Sequence, residues 1–283
     1  MGLLMNMIAM FFCVFGGFCR RNHHSHMGCT KNAKSAREVN KYYGNVLSPK
    51  VLKKADWERD CLAREFFTPN YCFVDWVRGN KTGLKKILGK SPNVEQMAGL
   101  FAGGLDKSQI KIIQDGNHIS ISVENDFFDR PLELVISHDS YSGERRMVLK
   151  DIFLKESAPP TMGTRIFANI VAQAQAFGVS EISCFGAKSV MNGKGETVEG
   201  NGYYTWARLG FDTSLDVIRN GCHLQIPAEF QHCEYLSEIM ETENGRKWWR
   251  ENGKDVTLRF SIEKGSPHLV RLTNYLKEKE ILI

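Results

Sequence analysis

The stretch that most constrains this chain runs from Glu144 to Asp212. It reads as a strand over Arg146 to Leu154, a loop carrying Pro159, Pro160 and Gly163, and an amphipathic helix over Thr164 to Phe177. Ile166, Ile170, Ala174 and Phe177 share one helical stripe with Val171 beside it, while Gln173 and Gln175 lie off it. Gly178 is placed to end the helix, and a second strand follows over Glu181 to Phe185. A strand, a loop and a helix returning to a neighbouring strand form a crossover unit whose helix N-terminus can hold a phosphate, with one helix face packed on the sheet.

The period changes upstream of that unit. Ile110 to Val123 divides into two β-rich halves around Asp115-Gly116-Asn117, a hairpin signal. Leu132 to Ile136 and Arg146 to Leu154 follow with short connections, which predicts antiparallel neighbours. Before residue 108 the pattern is helical and irregular, with a helix opening at Ser91-Pro92 and running through Leu105. The aromatic patch Tyr71, Phe73, Val74, Trp76 and Val77 reads as a surface that buries a helix on the following sheet. After residue 215, Asp216 to Arg219 and His223 to Ile226 read as short strands, and Pro227 opens a helix reaching Ile239. Residues 244–252 form a further helical turn, Asp255 to Ile262 alternates as a last strand, and Ser266-Pro267 starts a terminal helix through Lys279. The expected architecture is α/β: a mixed, largely antiparallel sheet flanked by helices, with helical extensions at both ends. The expected divisions are 1–30, a hydrophobic and His/Cys-rich segment; 31–107, a basic helical extension; 108–215, the core; and 216–283, an α/β appendage packed on the core.

Charge separates the same regions. Residues 20–90 carry 16 Lys and Arg against 6 Asp and Glu, leaving 21 against 26 in residues 91–283 once the totals of 37 and 32 are divided. The basic part lacks a zinc-finger or RNA-binding signature, so nucleic acid is not the expected partner. Leu3 to Phe18 is apolar apart from Asn6 and is followed by Arg20 and Arg21, the flank expected of a short cytoplasm-facing anchor. An internal start at Met5, Met7, Met10 or Met27 is the alternative. The expected location is cytoplasmic, with membrane association through Leu3 to Phe18 left open. The eight cysteines have no CxxC pair or regular spacing, which argues against both a disulfide framework and a zinc site.

The crossover unit and the later run Asn201 to Asp212, NGYYTWARLGFD, resemble the core of the GNAT family of acyl-CoA-dependent N-acyltransferases. In that family the loop before the helix carries Gln or Arg, two residues, Gly, one residue, then Gly or Ala, and its backbone N–H groups hold the coenzyme pyrophosphate. Here Ala158, Thr161 and Gly163 fall on those positions, or Pro160, Gly163 and Arg165 in a second register, with one match in each. Pro159 and Pro160 bring no N–H to the loop. The resemblance implies acetyl-CoA or another acyl-CoA as cofactor, with Thr161, Gly163, Thr164 and Arg165 around its phosphates.

The run Trp206-Ala207-Arg208-Leu209-Gly210-Phe211 resembles the family's second signature, in which Tyr often stands at the Trp206 position and protonates the leaving thiolate. An indole N–H cannot serve so, which makes Tyr203 or Tyr204 the candidate acid. A general base toward an amine is sought near the end of the strand, at Asp151 or Glu156. The resemblance therefore implies acyl transfer to an amine-bearing acceptor in a ternary complex without a metal. The alternative is a GNAT-like domain that has lost the chemistry and acts as a binding module. Residues 186–202, with Gly193, Gly195 and Gly200, form a long connection that either gates a substrate or is a tolerated insertion.

Overall fold

The computed structural model describes residues 65–67 and 72–281. Nine strands are seen among them: β1 (Phe73–Arg78), β2 (Gln109–Asp115), β3 (His118–Glu124), β4 (Leu132–His138), β5 (Arg145–Asp151), β6 (Val179–Gly186), β7 (Ser189–Met191), β8 (Thr197–Glu199) and β9 (Val256–Ser261). The helices are α1 (Lys81–Leu88), α2 (Val94–Ala102), α3 (Met162–Ala176), α4 (Gly202–Arg208), α5 (Leu215–Gly221), α6 (Leu236–Glu241), α7 (Glu243–Asn252) and α8 (Pro267–Glu278). Seven strands form one sheet in the order β1-β2-β3-β4-β5-β6-β9, and β7 pairs with β8 alone. The pairs β1–β2 and β5–β6 are parallel and the other four antiparallel. This is the mixed, largely antiparallel sheet flanked by helices that the sequence pattern predicts.

Alternation divides the sheet into a dry face and a wet one. Ile112, Ile121, Leu134, Leu149, Cys184 and Leu258 succeed one another across the strands, all buried, beneath the helices. On the other face Lys111 pairs with Glu124 and Lys150 with Glu133, each at 2.6 Å and exposed. Every residue of α3 from Met162 to Ala174 is buried, so this helix is covered on more than the single face that its apolar stripe implies. Its polar residues turn toward α2: Asn169 Nδ2 donates to Gly103 O at 2.8 Å. Gln173, expected off the packed stripe, is buried against Gly99, where an added Cβ would come within 2.7 Å of its Cγ.

Several local expectations change. Phe73–Arg78 is an edge strand rather than a helix-burying patch, because Val74 and Trp76 align with Ile110 and Ile112 on the dry side. The sheet thus reaches back beyond residue 108. Asp216–Arg219 lies in α5, not a strand: Ser214 caps the Val217 N–H, Leu215 and Ile218 are buried three apart, and Arg219 pairs with Asp216 at 3.0 Å. The strand expected through Leu154 ends at Asp151, and Leu154 keeps only an isolated bridge to Phe128.

No helix of the described residues is long and apolar enough to cross a membrane; the longest, α3, has 15 residues. The expected membrane association, and the placement tied to it, thus finds no support in the described helices. The run Leu3 to Phe18 on which that expectation rested lies outside the described residues.

Candidate functional site

The parallel strands β5 and β6 part before either ends. Their register runs from Arg145 opposite Val179 to Leu149 opposite Cys184, whereas β5 continues to Asp151 and β6 to Gly186. Beyond that point each strand pairs outward only, Asp151 with Glu133 on β4, and Phe185 and Gly186 with Thr257 and Val256 on β9. A fork therefore opens between the carboxyl ends of β5 and β6, with main-chain groups on its inner edges that no neighbouring strand takes up.

The N-terminus of α3 lies at the same end of the sheet. Thr161 precedes the helix at φ 68°, a left-handed conformation that costs a β-branched residue about 1–3 kcal/mol, and its side chain caps no helix N–H. Met162 N–H is taken up by Pro159 O at 3.3 Å. The following first-turn amides, Gly163 and Thr164, belong to the positions for which an α-helix supplies no acceptor of its own. Arg165 is buried, and its Nε–H donates to Thr161 Oγ1 at 3.3 Å. The cation expected in the phosphate cradle is therefore folded back on the loop. Thr161, Gly163, Thr164 and Arg165 are brought together, but Thr164 and Arg165 are almost wholly covered.

The two tyrosines lie on α4, where the Tyr203 backbone packs against Gly186 at the end of β6. Tyr203 is buried, and its hydroxyl donates to Arg250 O at 2.6 Å, while Trp249 Nε1–H donates to Tyr203 O at 3.1 Å. Burial pushes its phenol above the usual range. Tyr204 accepts at 2.9 Å from Arg250, whose guanidinium also lies 4.4 Å from the centre of its ring. Both hydroxyls thus tie α4 to α7, which leads into β9. Trp206 is buried among Phe167 and Phe211, with ring centres 5.4 and 5.2 Å away.

A groove of about 540 Å³ lies at the fork's end of the sheet, lined by Asp129, Lys155, Glu156 and Ser157. Glu156, one of the two candidate bases, is exposed there. Asp129 was not singled out by any sequence pattern. It joins the site because β4 is antiparallel to β5, so the β3–β4 loop meets the exit of β5: Asp129 N–H donates to Phe153 O and Lys155 N–H to Phe127 O, both at 2.9 Å. A second hollow, of about 650 Å³, is lined by Arg219, His223, Leu224, Gln225, Ile226 and Gln231 and shares no residue with the fork.

Burial raises the Cys72 thiol to about 11 and moves Cys222 the same way, which leaves both poor nucleophiles near neutrality. The described residues contain no group of three or more His, Cys, Asp or Glu placed to hold a metal ion. Comparison with protein-family models, curated proteins and solved structures finds no match to this chain.

Proposed function

We propose that the fork between β5 and β6 binds the extended amide-bearing arm of an acyl-CoA, and that the protein transfers the acyl group to an amine. The observation that carries this reading is the early loss of β5–β6 pairing at Leu149 and Cys184. An extended chain with alternating amide N–H and C=O groups can add to such an edge as a strand does, and the pantetheine arm of coenzyme A is such a chain. The start of α3, which no side chain caps, brings the positive end of a 15-residue helix to the same end of the sheet, where a phosphate would be favoured. The order of the elements, with the crossover β5–α3–β6 followed by α4 and the Leu209-Gly210-Phe211 turn, supports the GNAT-like reading of the fold.

In this reading the amine attacks the thioester carbonyl directly, the C–N bond forms as the C–S bond breaks, and the amine proton passes to a base at the groove. Glu156 lines that groove together with Asp129, and Asp151 is the last residue of β5. Of the two tyrosines, Tyr204 is the better acid toward the departing thiolate, since Tyr203 already directs its proton to Arg250 O.

A second reading, a binding module without acyl transfer, draws on the covered Arg165 and the two prolines of the loop. Calorimetric titration with acetyl-CoA separates the two. Micromolar binding that is lost in Gly163→Glu, with the variant's folding verified by circular dichroism, is the expected result. A folded protein that ignores millimolar acetyl-CoA overturns the acyl-CoA reading and leaves the binding module.

A further inference from the structure

The hairpin of β7 and β8 leaves β6 at Gly186 and reaches the β3–β4 loop, two places away in the sheet order. β6 and β5 are parallel and β4 runs against them, so all three parts meet at one end of the sheet. A segment that starts on β6 and touches the entrance of β4 must pass the end of β5. It therefore crosses the mouth of the fork.

The hairpin has an ordered turn and is loosely held beyond its base. Its turn is closed by Asn192, whose Oδ1 accepts from Lys194 N–H at 3.0 Å and from Glu196 N–H at 2.9 Å. Its base is pinned by Lys188 N–H to Asp255 Oδ1 at 2.6 Å and by Gly200 N–H to Lys188 O at 2.7 Å. Between them, no residue from Ala187 to Glu199 is buried. A two-stranded ribbon without a core has little stability of its own, so its position is set by its two ends. At the tip one hydrogen bond, Gly193 N–H to Asp129 Oδ2 at 2.7 Å, ties it to the rest of the described protein. Gly193 sits so close that an added Cβ would lie 2.3 Å from Asp129 O.

We propose that this hairpin is a hinged strap over the fork, that Asp129 is its latch, and that it swings from its base to admit and release the ligand. The identity of the ligand, an acyl-CoA arm, rests on the function proposed above; the latch itself does not.

The test is hydrogen–deuterium exchange on the full chain, comparing wild type, Asp129→Ala and Gly193→Ala. Gly193 lies outside the left-handed region, so alanine suits its backbone and only the contact with Asp129 O is lost. In both variants residues 189–199 are to exchange at least about tenfold faster, as expected when one hydrogen bond to a charged group is removed. The strands β2 to β5 are to exchange as before. Unchanged exchange over 189–199 in both variants overturns the strap.

A parallel run with millimolar acetyl-CoA on the wild type keeps the two ideas apart. Slower exchange of 189–199 with coenzyme supports strap and ligand together. Latch-dependent exchange in a protein that calorimetry shows does not bind acetyl-CoA supports the strap and counts against the acyl-CoA reading. Acetyl-CoA binding with exchange indifferent to both substitutions does the reverse.

Discussion

β6 has two seams, and they are built in opposite ways. Toward β9 it is paired through Gly186, and above that seam Phe167, Trp206, Phe211 and Phe260 stack with ring centres 5.2 to 5.5 Å apart. Toward β5 its pairing stops at Cys184. One seam removes aromatic surface from water and satisfies its backbone; the other forgoes strand pairing and leaves an opening. A single strand can thus secure the fold along one edge and offer a binding edge along the other, provided the closed seam is strong enough to hold the open one in place.

The largest test of that contrast is Phe211→Ala, which removes a fully buried ring from the middle of the closed seam. A loss of about 3–5 kcal/mol is expected in urea unfolding. Val148→Thr beside the open seam, where the side chain is 42% exposed, is to change stability by less than about 0.5 kcal/mol. Equal losses at the two sites would break the comparison.

Gly103→Ala comes next. Gly103 ends α2 at φ 62°, and an added Cβ would stand 2.6 Å from the Ile166 backbone of α3. A loss of about 1–3 kcal/mol is expected, read as a lower melting temperature. An unchanged melting temperature would mean that α2 and α3 separate more readily than their packing suggests.

Tyr203→Phe removes only the bond to Arg250 O on the closed side, and about 1 kcal/mol is expected to go with it. Acetyl-CoA affinity by calorimetry is to stay as in the wild type. A weakened affinity with normal stability would move Tyr203 from the closed seam to the site.

The smallest effect concerns His268, which lies 5.5 Å from Phe260, ring centre to ring centre, with Nδ1 2.9 Å from Gly210 O. Burial lowers its pKa below the ordinary 6.5. The unfolded chain therefore binds the proton first, so stability is fully present above about pH 6.5 and declines as pH falls through the interval down to the folded value. Urea unfolding of the wild type and His268→Gln at pH 7.5 and 5.5 measures the contribution as the difference between the two slopes. Identical pH dependence in both would remove His268 from the closed seam's titration.

What could be read beforehand followed from local rules. The hairpin at Asp115-Gly116-Asn117, the crossover around α3 and the terminal helix after Ser266-Pro267 each rest on turn, cap or period signals within a few residues. The edge strand β1 escaped because its exposed Phe73 and Val77 blur the alternation of Val74 and Trp76. In α5, buried residues three apart over seven residues were too few to distinguish a helix from a strand. At the site, the sequence placed Thr161, Gly163, Thr164 and Arg165 on one loop and helix start. It carried no sign that Arg165 would be buried, or that Tyr203 and Tyr204 would be held by α7.

By itself, then, the sequence determined the strands of the central meander, the crossover helix and the apolar face they share, since each depends on periodicity and on short-range turn chemistry. Only the tertiary structure decided where β5 and β6 separate, that Asp129 from a distant loop meets Gly193, and that both tyrosines turn toward α7. The last two depend on contacts between residues 46 to 64 positions apart in the chain, and no local pattern encodes a contact whose partner is chosen by the packing of the whole sheet.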